Sequence, residues 1–253
     1  MKICVLVKQV CSEDSSLVLN DDKLSLNSEA LNLVTNEPDA YALEEALQLK
    51  EKTEGEVVVC SLGSESSRQV IKDSLAKGAD RGIFILNDTK NNNPLSIAKA
   101  ISEKIKDENF DLILSGLQSN DNGFSQVGLL VAECLKTSHA SLVMGTELIN
   151  NETIKVKLEL ENGWFQWSEL DLPASLTIQS GINSPRYATL KGIMSVKSKA
   201  VESLEADCSS ENKYEVIEMM HPQKTKETVT IEGNPDDIAT ELLDVLKNKI
   251  KVI

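Results

Sequence analysis

Basic residues are in short supply in this 253-residue chain. Its 26 Lys and Arg face 40 Asp and Glu, for a formal net charge of -14 and a sequence pI of about 4.7. That balance argues against nucleic acid or an anionic membrane as the main partner, because both are polyanions. Aromatic side chains make up only 4% of the sequence, too few for a base-stacking platform. The five cysteines include no CxxC pair, so a metal centre is not expected. Cys4 and Cys60 fall in strand-like runs and Cys134 on a helix, a pattern of buried free thiols in a reducing compartment. No apolar run reaches the roughly 18–20 residues needed to span a bilayer. Strand-like sequence begins at Lys2, which leaves no room for a leader peptide, and the cytoplasm is the expected location.

What is present fits a soluble α/β protein. Hydrophobic residues at 41% are ample for a core, and 26% charged residues suit its surface. The length predicts one α/β domain, residues 1–200, and an appendage over 201–253. The organising stretch is Asp111 to Leu135. It opens with Leu112-Ile113-Leu114, a strand buried on both faces, and closes with Val127, Leu130, Val131, Cys134 and Leu135 on one side of a helix. Between them runs a polar loop, Gly116 to Gly128. A strand, such a loop and a helix N-terminus present backbone N–H groups to a phosphate, although the spacing also fits an ordinary βα loop.

The chain begins with a buried strand over 2–7, followed by a short exposed hairpin over 11–30 with Leu17, Leu19, Leu24 and Leu26 alternating. Asn36, Glu37, Pro38 and Asp39 are a helix start: Asn36 caps, Pro38 fits the first turn, and the acids suit the positive dipole end. That helix ends near Gly55. A second strand over 57–62 leads through Gly63 and a Ser-rich start into a helix closed by Gly78. A third strand over 81–86, a polar loop over 87–94 and a helix over 95–106 follow. This alternation predicts a mostly parallel, doubly wound sheet. Leu6 to Lys8, the Leu62-Gly63 turn and the Gly116–Gly128 loop then meet at the carboxyl ends of its strands, where such sheets bind ligands.

After residue 139 the pattern changes. Runs over 140–148, 153–160, 164–170 and 174–179 read as an antiparallel extension, with Trp164 and Trp167 covering its faces. From Asn183 to Lys199 the chain holds Arg186, Lys191, Lys197 and Lys199 and no acid. Pro185 and Gly192 bracket a loop with Leu190 near its tip. A leucine in a basic surround suits docking to an acidic partner, or drops onto its own domain. Residues 202–235 read as polar and irregular, with one strand-like run at Thr228 to Ile231. Asn234, Pro235, Asp236 and Asp237 then start a final helix with Ile238, Leu242, Val245 and Leu246 as its apolar stripe. A helix on such an arm packs on a neighbour, or on its own domain.

Three segments, NEPDAYALEEALQLKE (36–51), GLQSNDNGFSQVG (116–128) and INSPRYATLKGIM (182–194), resemble the electron-transfer flavoprotein β subunit. The resemblance runs along the whole chain in order. It implies a heterodimer with an α subunit that holds most of a redox-active FAD, and in this chain either a structural AMP or, in bifurcating versions, a second FAD. The nucleotide would lie against Leu6, Asn36, Glu37, Pro38, Asp39, Leu62 and the loop Gly116, Leu117, Gln118, Ser119, Asn120, Asp121, Asn122, Gly123, Phe124, Ser125, Gln126 and Val127. Asn122, Ser125, Gln126 and Val127 would hold its phosphate. Flavin-bearing members tend to read DGDTAQVG where this chain has DNGFSQVG, and bulky Phe124 argues for AMP and a one-flavin carrier. Docking of a primary flavin dehydrogenase would fall to Arg186, Tyr187, Leu190, Lys191, Ile193 and Met194, and the C-terminal helix would wrap the α subunit.

On this reading the chain has no bond-making residues and passes electrons from the dehydrogenase to a downstream acceptor. Two other classes remain. An adenylyl-transferring or ATP-cleaving enzyme would need a GxxxxGK[ST] loop or paired histidines, and His139 and His221 stand apart. A stand-alone adenine-nucleotide-binding regulatory module would need neither the Leu190 segment nor the C-terminal arm.

Overall fold

The run KICVL has no polar side to offer water, so it becomes β1 (Lys2–Leu6), a strand covered on both faces at the centre of a sheet. In the computed structural model, which describes residues 1–87, 93–206, 208, 216–222 and 228–252, β1 pairs in parallel with β4 (Glu56–Gly63) and β6 (Leu112–Gly116). Beyond β4 lie β5 (Arg81–Leu86) and β11 (Val201–Glu205). Beyond β6 lie β10 (Ala174–Ile178), β7 (Ser138–Leu148), β8 (Thr153–Glu159) and β9 (Phe165–Asp171). A separate antiparallel pair joins β2 (Gln9–Cys11) to β3 (Leu33–Thr35).

Alternate residues of each central strand face opposite layers. Ile3, Val5, Val57, Val59, Leu112 and Leu114 pack under α1 (Glu37–Thr53) and α2 (Arg68–Lys77). Cys4, Leu6, Val58, Cys60, Ile83 and Ile113 pack under α3 (Pro94–Ile105) and α4 (Val127–Leu135). The doubly wound sheet with an antiparallel extension is therefore present. Its strand order reverses at β1, since α1 leads to β4 on one side and α3 leads to β6 on the other. Crevices at such reversals are where open sheets take ligands.

Several expectations need correction. The run over 174–179 is not part of the extension: β10 inserts in parallel between β6 and β7, and in this sheet only the β7–β8 and β8–β9 pairings are antiparallel. All five β10 residues are buried, and an apolar run this short does not reveal its neighbours. The arm expected from 201 gives its first residues to the sheet through β11–β5 pairing, and the second compact unit begins at Glu218. Cys134 is exposed, and of the helix side predicted as apolar only Val131 is fully buried. The hairpin over 11–30 shrinks to one antiparallel bridge, Leu19 to Leu26. Trp164 is 73% exposed and covers no sheet face. Among the described residues, 228–231 form no strand. Most of the polar loop placed at 87–94 lies outside the described residues.

The second unit, Glu218–Ile253, carries α6 (Pro235–Asp244). Asn234 Oδ1 caps it, accepting from the amides of Asp236 and Asp237 at 3.1 and 3.0 Å. The helix continues into a wider π turn over Val245–Ile250.

At the amino ends of the strands a charge cluster ties distant segments together. Arg81 Nη2 lies 2.6 Å from Glu108 Oε2, Arg81 Nε lies 2.9 Å from Glu56 Oε1, and Lys2 Nζ lies 2.7 Å from Glu108 Oε2. Hydrogen bonds from Arg81 hold the Glu108 carboxyl below the usual carboxylate range, against its burial, with Lys2 assisting. Depression of this kind contributes stability that is present at neutral pH and lost as pH falls below the ordinary glutamate value. Glu108→Gln should therefore cost about 1 kcal/mol at pH 7, a figure discounted because the cluster is partly solvated. Urea unfolding at pH 7 and pH 3 should show the gap between variant and parent closing in acid.

Candidate functional site

Cleft walls come from three strand ends. The carboxyl ends of β1, β4 and β6 open into a cavity of about 470 Å³, within the range for a small ligand. Leu6, Asn36, Asp39 and Leu62 line it, and so does the 116–127 loop except at Asn120 and Gly123; Glu37 and Pro38 stand outside. Cys60 of β4 and Ile97 and Ile101 of α3 add an apolar wall that sequence reasoning missed, because only the crossing of α3 over the sheet brings them together.

Asp39 frames the mouth. Its carboxylate accepts from the Lys8 amide at 2.8 Å and from the Gly116 amide at 2.9 Å, joining the ends of β1 and β6. Burial pushes its pKa up to about 6, while the bonds from Lys8, Asn36 and Gly116 pull the other way, so the group is ionised at neutral pH. Asn36 begins α1 but makes no side-chain cap. Its Nδ2 donates to Gln118 O at 2.9 Å and its Oδ1 accepts from the Asn120 amide at 3.0 Å, which fixes the loop instead. Gly116 allows this closeness: a Cβ there would sit 2.5 Å from Asp39 Oδ1 and 2.7 Å from the Asp39 backbone nitrogen.

At the other side lies the start of α4. No side chain caps its first turn, so its leading N–H groups remain available. Beside them Ser115 is buried, and its Oγ has no hydrogen-bond partner among the described residues. Gly128 seats α4 against β6, since a Cβ would strike Ser115 Oγ and lie 2.8 Å from Thr177 Cγ2. Ser125 Oγ donates to Gln118 Oε1 at 3.1 Å across the loop. On the rim Lys8 Nζ lies 2.7 Å from Asp121 Oδ1. Free amides and an unsatisfied hydroxyl together suit an anionic group. Ser115 escaped the sequence reading because its strand position marks it as core.

The profile of the family described as "Electron transfer flavoprotein domain" matches residues 23–209. An electron transfer flavoprotein subunit beta from Syntrophomonas wolfei is 36% identical, covering 100% of this chain and 98% of its own. Proteins of the same name from Methylophilus methylotrophus and Bacillus subtilis are each 32% identical, over 97% and 100% of this chain and 98% and 100% of their own. The chain belongs to the electron transfer flavoprotein β-subunit family.

In this family member the Leu190 segment is a short helix, α5 (Leu190–Ser195), where a loop tip was expected. Thr189 Oγ1 accepts from the Gly192 amide at 3.0 Å and caps it. Tyr187 is 93% exposed, Leu190 76% and Met194 72%, with Ile193 and Lys191 also outside. Leu190 thus does not fold onto its own domain. Arg186 differs from the rest of the set, since its side chain lies against α1. Among the described residues no helix is long and apolar enough to cross a membrane, and no cluster of potential metal ligands occurs.

Gly116→Ala should destabilise by about 1–3 kcal/mol, because the new methyl meets backbone and the Pro38 ring. Gly123, with φ +62 and open space around it, should cost only about 1 kcal/mol on the same substitution. Urea midpoints of the two variants would test this order.

Proposed function

We propose that the chain is the β subunit of a heterodimeric, one-flavin electron-transfer flavoprotein, and that its cleft holds AMP as a structural ligand. The observation that carries the AMP assignment is the buried, unpartnered Ser115 hydroxyl beside the uncapped first turn of α4. On this reading the α4 amides and Ser115 bind the phosphate, with Ser125, Gln126 and Val127 at the helix start. Leu6, Leu62 and Ile97 exclude water from the apolar part of the nucleotide, and Asn36 and Asp39 keep the loop in place. Phe124 lines the same cleft, and on this reading its ring takes room that a larger dinucleotide would need.

FAD, held mainly by the α subunit, supplies the redox chemistry when bound. This chain then supports the flavin-bearing partner and offers Tyr187, Leu190, Ile193 and Met194 to a primary flavin dehydrogenase. A small apolar contact suits a carrier that binds and leaves quickly. The C-terminal unit with α6 packs on the α subunit.

Ligands released from the complex isolated with its natural partner should amount to one FAD and one AMP per heterodimer. Two FAD and no AMP would overturn the one-flavin reading in favour of a bifurcating subunit, and a chain that purifies alone would favour a stand-alone nucleotide-binding module. AMP at a hundredfold excess over its Kd should stabilise the native state by about 2.7 kcal/mol. Ser115→Ala should weaken AMP about five- to tenfold, the worth of one hydrogen bond, yet leave the ligand-free chain as stable as the parent. Calorimetric titration and thermal unfolding would check both halves, and a destabilised ligand-free variant would contradict the assignment.

A further inference from the structure

Arg186 opens the segment that bears Leu190, but its guanidinium is turned inward. Nε and Nη2 donate to Glu44 Oε2 and Oε1 at 2.8 and 3.0 Å, the Arg186 amide donates to Glu44 Oε2 at 3.1 Å, and Nη1 donates to Glu51 Oε1 at 2.6 Å. Glu44 is buried in the middle of α1. Burial opposes its charge, and the Arg186 fork overrides that effect and holds its carboxyl below the usual range. Nearby, Asn183 Nδ2 donates to Tyr41 O at 3.1 Å and to Glu45 Oε2 at 3.0 Å.

The far end of the segment is fixed as well. Lys199 Nζ donates to Leu75 O and Ala79 O at 2.8 and 2.6 Å, at the C-terminal turn of α2. Between these ends, Gly192 lies against the Ala76 carbonyl, so α5 meets α2 backbone to backbone. A helix of one and a half turns does not hold its shape in water by itself. It needs such outside fixtures.

We propose that Arg186 is a positioning residue of the docking site: its fork onto Glu44 and Glu51 holds α5 ready-formed, so that a partner meets Leu190, Ile193 and Met194 without having to order them. The inference rests on the docking reading above. It also alters the electrostatics. Arg186 and Lys199 are engaged within the fold, which leaves Lys191 and Lys197 as the exposed bases of the segment. Docking then depends mainly on preformed apolar surface and only weakly on salt.

Hydrogen exchange on the intact heterodimer tests the fixture directly. Arg186→Gln should speed exchange of the 189–195 amides at least tenfold while amides of β1, β4 and β6 stay unchanged. Arg186→Lys, which keeps the charge but offers no fork, should restore less than half of that protection. Glu51→Gln removes only the outer leg and should give a smaller rise of the same kind, which keeps the test available should Arg186→Gln fail to fold. With a flavin dehydrogenase that reduces the parent complex, Arg186→Gln should raise KM for the heterodimer about tenfold with kcat held, equally at low and high ionic strength. Lys191→Gln should raise KM at low salt only. Unchanged exchange at 189–195, or a KM effect of Arg186→Gln that vanishes in salt, overturns the proposal. A Leu190→Ala variant with unchanged KM sinks the docking reading alone, because exchange still reports the Arg186 fixture.

Discussion

Asp39 holds two strand ends with one carboxylate. Its oxygens accept from Lys8 beyond β1 and from Gly116 at the end of β6, the two strands between which the sheet reverses direction. The cleft exists because those ends are tied while the loop after Gly116 swings out, and Asn36 steadies that loop through Gln118 and Asn120. Asp39 and Asn36 both stand at the start of α1. The same helix, further on, presents Glu44, Glu45 and Glu51 to Asn183 and Arg186. One helix is thus the common frame for the cleft, at its start, and for the Arg186 segment further along.

Several basic residues of this acidic chain tie together segments that are distant in sequence. Arg81 and Lys2 neutralise Glu56 and Glu108, Lys50 pairs with Asp80, and Arg186 with Glu44 and Glu51. Lys199 caps carbonyls and, among the described residues, pairs with no acid within ion-pair distance. These cations sit where separate chain segments converge. Coulomb attraction there acts across long sequence distances, where ordering entropy is largest.

Much of the fold was legible because it is local. Buried runs such as KICVL, the Pro38 and Asp39 helix start and the glycine at 78 each announce an element through one or two residues. The Gly116–Gly128 loop was legible for the same reason, being a polar gap between a strand and a helix. What escaped depends on partners far away in sequence. The insertion of β10 beside β6, the pairing of Val201–Glu205 with β5, the Ile97 and Ile101 wall and the inward turn of Arg186 are all matters of what lies opposite, which no local period records. Asn36 shows the boundary well. Its place at the helix start was readable, while its side chain serves a loop more than eighty positions away.

Both tryptophans of the chain belong to the outer hairpin. Trp164 precedes β9 and stands largely in solvent, while Trp167 sits on β9 with Lys155 Nζ 5.1 Å from its ring centroid. Neither belongs to the core layers under α1 to α4. Intrinsic fluorescence of the protein is therefore a gauge of that one sheet margin. Emission will register an event at the hairpin, such as a covering surface or a local fraying, and will be nearly silent about the buried strands where most of the folding free energy resides.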